Sequence, residues 1–371
     1  MKKVFATGGR AVLVEVPEPV LRRGEVLVAP AFSAISAGTE TSVIRMSADP
    51  VHIHDHDYPG PVPYGPKLRS SATAWGGLEP RTSIDGHALI GYSLAGIVMA
   101  VSPEVTDLRP GDRVACSGSQ CSHHADLVAV PRNLCTPVPD GVGLDDAAFV
   151  TLGTIALESV RLTRAHFGET IVSYGVGLLG LIATQVAISG GIYVVGLDVS
   201  EARLEMARKF GAIATANPLD GNAREVVFAA TDGFGADGVI LATVTESSEP
   251  LNDAMRMVRQ RGVVVGLGAF GTHFDRDAMV WNDVQLVMQL AYGPGRYDPV
   301  YEEGNVDYPI GLSRWTENRN SQHFLRLLAE RKVSVAGLAP DRVPFARATE
   351  AYDMLLKPDR PATVLFDYGK A

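Results

Sequence analysis

Cysteine is scarce in this sequence: Cys116, Cys121 and Cys135 are the only three in 371 residues. That is too few for a disulfide framework, and reduced thiols suit a cytoplasmic setting. Long apolar runs are missing too. No stretch approaches the ~18 consecutive apolar residues that a membrane-spanning helix needs, so no membrane partner is expected. The segment Met1-Lys2-Lys3-Val4-Phe5-Ala6 carries two lysines but no apolar core of signal-peptide length; the expectation is a cytoplasmic enzyme. There is no dense block of Lys or Arg either, and the net charge is −9. A phosphate backbone calls for a basic face, so nucleic acid is not an expected partner. Internal repeats and low-complexity stretches are also absent.

What is present is the balance of a soluble globular protein, 46% hydrophobic and 20% charged, long enough for two domains. The first 150 or so residues read as β-rich, with short runs such as Glu25-Val26-Leu27-Val28 and Gly96 to Val101 bounded by Pro and Gly. From about residue 152 apolar strands alternate with helical stretches, which implies a parallel sheet covered by helices. Thr170 to Tyr174 is its first strand, Leu178 to Ser189 a helix, and Ile192 to Leu197 the second strand. Glu201 to Phe210 forms another helix, ended by Gly211. Gly238 to Ala242 and Gly262 to Leu267 are later strands. The tail predicts helices at Phe324 to Arg331 and Ala346 to Leu356, then a strand at Thr363 to Phe366. Residues 47–86, rich in Pro, Gly, Ser and His, show no period and read as a long surface excursion or a lid.

The strongest motif is Gly175-Val176-Gly177-Leu178-Leu179-Gly180. It follows a strand, opens a helix and precedes Asp198 at the end of the second strand, which is the context of a dinucleotide fingerprint. Gly175 permits the tight turn, Gly177 admits the pyrophosphate, and Gly180 lets helix and strand pack closely. The helix N-terminus offers free N–H groups to the phosphates. Asp198 would accept bonds from the ribose hydroxyls and repel a 2′-phosphate, favouring NAD over NADP, although Arg203 is placed to meet such a phosphate. Thr243 and Gly266 join Leu178, Leu179 and Arg203 in the cofactor-binding set.

Several strings carry a wider resemblance: Gly91-Tyr92-Ser93-Leu94-Ala95-Gly96-Ile97-Val98, Pro110-Gly111-Asp112-Arg113-Val114, Ala125-Asp126-Leu127-Val128 and the Gly175 turn. With them the chain resembles the medium-chain dehydrogenase/reductase superfamily, the alcohol dehydrogenase fold. The resemblance implies an α/β architecture. A Rossmann doubly wound parallel sheet (152–290) is inserted into a β-rich GroES-like catalytic domain (1–151 and 291–371), with the substrate in the cleft. It also implies a homodimer or homotetramer. Members with a catalytic zinc hold it through Cys, His and Cys or Asp, and those positions fall at Ala37, Tyr92 and near Val150, so no zinc is expected. A second register, with His87 as the imidazole, would put the next strand five residues out of step with the Gly111-Asp112 turn. The structural-zinc lobe is missing its four close cysteines. Cys116, Cys121, His123 and His124 read as buried thiols and a surface histidine pair, and His52, His54, His56, Asp55 and Asp57 as an exposed polar loop.

A narrower likeness, carried by Ile35 to Glu40, Tyr292 to Asp298, Asp307 to Gly311 and Arg314 to Glu317, is to a zinc-free branch. Its dehydrogenase half is often fused to a second oxidoreductase domain; here such a partner would be a separate chain. Without zinc, hydrogen-bond donors and a base must handle the hydroxyl proton. Thr39 matches the family's relay hydroxyl, Glu40 is the carboxylate for the base, and Tyr92 is a donor to the carbonyl oxygen. Thr154 matches the residue at the nicotinamide face. Tyr292, Arg296, Tyr297 and Trp315 suit a polyhydroxylated ring. The expected function is NAD-dependent oxidation of a secondary alcohol on a sugar, cyclitol or related small molecule. An enone or quinone reductase and a non-catalytic NAD-binding sensor are the alternatives.

Overall fold

The computed structural model describes residues 1–48, 83–84, 87–339, 341–357 and 360–370. Most of the expected excursion, with His52, His54, His56, Asp55 and Asp57, lies outside them. The first elements are β1 (Lys2–Thr7), β2 (Arg10–Glu15), β3 (Glu25–Ala34), α1 (Ala37–Met46), β4 (Ser83–Ile84), β5 (His87–Leu89) and β6 (Ser93–Val101). Then come β7 (Arg113–Ser117), β8 (Val128–Pro131), β9 (Cys135–Pro137), α2 (Leu144–Ala147) and α3 (Val150–Leu162). Strand and helix next alternate through β10 (Thr170–Tyr174), α4 (Leu178–Ser189), β11 (Tyr193–Leu197), α5 (Glu201–Lys209), β12 (Ala214–Ala216) and α6 (Ala223–Ala229). They continue through β13 (Ala236–Leu241), α7 (Glu249–Met257), β14 (Val258–Gly266), α8 (Arg276–Trp281) and β15 (Gln285–Met288). The remainder is α9 (Pro299–Glu302), α10 (Glu317–Ala329), β16 (Arg342–Pro344), α11 (Ala348–Leu355) and β17 (Leu365–Asp367).

Two units form, one from residues 1–151, 295–325 and 335–371, the other from 152–294 and 326–334. In the second, six parallel strands lie in the order β12-β11-β10-β13-β14-β15. Numbered within the sheet that is 3-2-1-4-5-6, the order whose reversal beside strand 1 leaves a crevice for a dinucleotide. The run Thr170 to Tyr174 is buried at every position, as a strand with both faces covered must be. Helix α4 is buried nearly all round, which its apolar sequence dictates. Val172, Leu197, Val239 and Met255 sit in one core cluster; each such side chain contributes roughly 1.5–3 kcal/mol by leaving water. At the end of α5, Gly211 takes φ +101° and the amide of Ala212 bonds the carbonyl of Ala207, a helix stop that glycine makes cheap.

The first unit holds a four-stranded sheet, β2-β1-β5-β4, and a seven-stranded sheet, β16-β17-β3-β6-β7-β9, with β8 also paired to β3. The tail strand β17 runs antiparallel to β3, Leu365 opposite Ala34. One apolar cluster joins β1, α1, α11 and β17 through Val4, Ile44, Tyr352 and Phe366. A second fills the larger sheet with Val26, Leu94, Val114 and Cys135.

Candidate active site

In the second unit the glycine turn leaves β10 and enters α4. Gly175 has φ +97°, a left-handed conformation that side chains resist. A Cβ on Gly180 would lie 2.1 Å from the carbonyl oxygen of Gly175, so packing demands glycine there. Gly177 differs from both. Its φ is −70° at the cap of α4, and a Cβ built on it meets nothing within 4 Å. Neither backbone nor neighbours ask for glycine at 177; a phosphate seated against the helix N-terminus would. The turn therefore fits a dinucleotide.

Asp198 follows β11 and is buried. Its Oδ1 accepts the amide of Ser200 at 2.9 Å, and Arg203 stands 3.7 Å from Oδ2. Thr243, the residue after next beyond β13, touches the turn: a Cβ on Gly175 would meet its methyl at 3.1 Å. The Thr243 hydroxyl is buried with no hydrogen-bond partner among the described residues, a donor available to a ligand. Gly266 ends β14, while Thr154 on α3 and Tyr292 are buried in this unit.

In the first unit Ser36 precedes α1 and its amide donates to Glu40 Oε1 at 2.8 Å, which places the carboxylate beneath the first turn. Thr39 is exposed and Glu40 is 2% exposed. The Tyr92 hydroxyl is bonded by the side chains of Ser36 and Thr39. Burial first, and Glu40 and Tyr297 nearby, push its pKa up to about 12, against those two bonds. Thr39, Glu40 and Tyr92 thus come together. Glu40 Oε2 also receives Nε2 of His124 at 3.0 Å and the hydroxyl of Tyr352.

His124 corrects the reading of a surface histidine pair. Both imidazoles are buried, His123 at 2% and His124 at 0% exposed. The reason is backbone pairing on both sides: the amide of Val4 bonds the carbonyl of His124 at 3.0 Å, and the His124 amide bonds that of Ile90 at 3.2 Å. Burial holds His123 well below the usual imidazole range, and its Nε2 is 2.8 Å from the Ser119 carbonyl. Nothing in the local pattern signals this. The partners of His124 are Ser33, Glu40, Tyr352 and Phe366, all far away in sequence.

Arg296 is buried, and its guanidinium donates to Glu302 at 2.6 Å, Gln120 at 2.9 Å and Ser119 at 2.6 Å while lying 3.9 Å from the Tyr297 ring. The fork ties the 119–120 segment, where the family's structural-zinc lobe would lie, to α9. Trp315 is half-buried, between Arg314 at 4.1 Å and His323 at 5.2 Å.

The positions that resemblance gives to zinc ligands present a methyl (Ala37), a phenol (Tyr92) and an isopropyl group (Val150), a donor set that does not fit the ion. Cys116 faces Cys135, Sγ to Sγ 3.7 Å, rather than Cys121 or the histidines. Among the described residues no group of three His, Cys, Asp or Glu side chains is placed to hold a metal. His87 sits on β5 of the smaller sheet.

Comparison with known proteins matches residues 179–301 to the family described as zinc-binding dehydrogenase; that span includes none of Ala37, Tyr92 and Val150. D-guloside 3-dehydrogenase of Escherichia coli (strain K12) is 27% identical over 359 residues, 95% of each chain. A probable D-xylulose reductase A of Emericella nidulans is 26% identical over 243 residues, 56% of this chain and 67% of that one. The crystal structure of galactitol-1-phosphate dehydrogenase from Escherichia coli superposes with a TM-score of 0.75 at 18% identity, over 99% of this chain and 100% of that one. With the 3-2-1-4-5-6 sheet and its glycine turn, these likenesses mark the chain as an oxidoreductase similar to the medium-chain dehydrogenases/reductases.

Proposed function

We propose that the chain is an NAD-dependent, zinc-independent oxidoreductase acting between a secondary alcohol and its ketone on a sugar, cyclitol or related ring. The observation that carries the cofactor is Gly177, a helix-cap glycine that neither its φ nor its neighbours require and that leaves room for a closely approaching ligand, with the buried Asp198 carboxylate just beyond β11. Asp198 supports NAD, because a 2′-phosphate there would face a negative charge. The relatives named for D-guloside and D-xylulose support a polyhydroxylated substrate.

NAD, when bound, accepts the hydride. The chain's own part is the proton. Tyr92, with its pKa near 12, keeps its hydrogen at neutral pH and is a donor for an alkoxide or carbonyl oxygen. Thr39 offers an exposed hydroxyl bonded to Tyr92, and Glu40 beneath it is the base. The residues at 37, 92 and 150 support a zinc-free site.

Fluorescence titration with NADH and NADPH, followed by a screen of cyclic alcohols for NAD reduction, tests the reading. Tighter NADH binding and turnover of a ring alcohol are expected. Binding without turnover of any alcohol or ketone would defeat it, and turnover confined to enones with NADPH would point to a C=C reductase.

A further inference from the structure

The hydrogen bonds around Glu40 run in one direction. A carboxylate offers about four lone-pair positions. Three are filled among the described residues: one on Oε1 by the Ser36 amide, and two on Oε2 by His124 and Tyr352. The imidazole is fixed from its far side as well. Its Nδ1 is 2.7 Å from Ser33 Oγ, which is 3.0 Å from the Tyr368 hydroxyl, and the backbone of Ala125 bonds Tyr368 in turn. An Nε2 lone pair turned against Oε2 would be repelled. Nε2 therefore carries the hydrogen; in the neutral imidazole Nδ1 then accepts from the Ser33 hydroxyl, and Ser33 accepts from Tyr368. Each donor leads toward the carboxylate.

Ser33, His124 and Tyr352 are each 0% exposed, and Tyr368 is half-buried. A buried charge is costly unless paired and fully bonded, and apolar side chains of equal volume would hold the core as well or better. The fourth position, the one left open among the described residues, is on Oε1. That oxygen is tied to the start of α1, where Ser36 and Thr39 bond the Tyr92 hydroxyl.

We propose that His124, held by Ser33 and Tyr368, is a positioning residue that keeps Glu40 turned to the Tyr92–Ser36–Thr39 hydroxyls, so that Glu40 takes the proton released when the alcohol is oxidised. The inference rests on the dehydrogenase reading above. In the step, the substrate O–H bond breaks and its proton enters the hydroxyl cluster, which passes one proton to Glu40 Oε1. The carbinol C–H bond breaks, its electron pair leaves as hydride to the oxidant, NAD, and C–O becomes C=O. Glu40 goes from anion to neutral acid while its Oε2 bonds stay in place; ketone reduction returns the proton. Tyr352 and Tyr368 face the pair from α11 and from beyond β17, and burial holds both phenols protonated. Tyr92 and the neutral His123 flank it, with Lys3 on β1 beside His123 and Asp126 beside Tyr368. Arg360 adds a cation on the Ala37 carbonyl and Thr41.

The test is the pH profile of kcat/KM for the whole chain with NAD and a ring alcohol that it turns over. Hydrogen bonds to a carboxylate favour its charged form, so His124→Leu should move the acid limb up by about one pH unit, close to a tenfold loss on that limb. His124→Gln, which keeps a donor, should restore most of the limb, and Ser33→Ala should move it less than His124→Leu. A uniform fall in kcat with the limb unmoved would overturn the proposal and leave His124 a packing residue. NADH affinity reports whether each variant is folded. Should His124→Leu not fold, Ser33→Ala and the imidazole 15N spectrum of the unaltered chain decide: the Nε2–H tautomer is expected, and Nδ1–H would overturn the argument. Absence of turnover on any alcohol would sink the dehydrogenase reading and this proposal with it, while the 15N spectrum would still report the network.

Discussion

Gly175, Gly177 and Gly180 are glycines for three separate reasons, and only one of the three concerns a ligand. Gly180→Ala drives a methyl into the Gly175 carbonyl and should cost about 1–3 kcal/mol in denaturant unfolding. Gly177→Ala meets nothing and should change stability by less than about 1 kcal/mol, the range of a weaker helix cap. It should nonetheless weaken NADH binding, measured by fluorescence. A Gly177→Ala chain that binds NADH as the unaltered one does would remove the ligand argument for this turn. Asp198→Ala should raise NADPH affinity about tenfold, ~1.4 kcal/mol, as the negative charge leaves Arg203 free to meet a 2′-phosphate; unchanged NADPH binding would contradict the assigned role. At this scale the sequence was legible where a motif is local. The three glycines and Asp198 lie within 24 positions and one strand–turn–helix–strand unit. His124 and Tyr352 lie 84 and 312 positions from Glu40, and no periodicity links them, so nothing local marks His124 as buried.

Helices and strands with one strong period were legible, and those shaped by tertiary contacts were not. Leu178–Ser189 matches its expected bounds because an apolar run bracketed by Gly177 and Gly190 has one reading. Helix α10 starts at Glu317, seven positions before the expected Phe324. Its first turn is polar, and sequence alone hides that Glu317, Asn320 and Ser321 are buried. Glu317 has neither carboxylate oxygen hydrogen-bonded among the described residues. Burial, then the charge of Glu302, raises its pKa well above the usual carboxylate range, Arg296 opposing; desolvation here outweighs the favourable helix dipole. The unfolded chain ionises this group near pH ~4.3, so above that pH the folded state holds one more proton. Stability therefore falls as pH rises, by at most ~1.4 kcal/mol per unit from this group, until the raised folded pKa is passed. Glu317→Gln should remove that slope and melt higher than the unaltered chain at pH 8, with the gap closing toward pH 4. Parallel melting curves for the two proteins across that range would contradict the assignment.

For the whole molecule, the change of texture near residue 152 announced the parallel sheet, because strands covered on both faces must be continuously apolar. The split of the tail, with 295–325 and 335–371 in the first unit and 326–334 in the second, could not be read from pattern; β17 pairs with β3 with Leu365 opposite Ala34. Likeness to the zinc-dependent members of the superfamily brings an expectation of zinc that residues 37, 92 and 150 do not meet. The proposed chemistry instead moves the proton through Tyr92, Thr39 and Glu40. The most direct measurement is the rate of NAD reduction on a cyclic polyol before and after exhaustive chelation, with the metal content of the same sample determined. An unchanged rate at sub-stoichiometric zinc is the predicted result. A rate abolished by the chelator and restored by one equivalent of zinc would contradict the account.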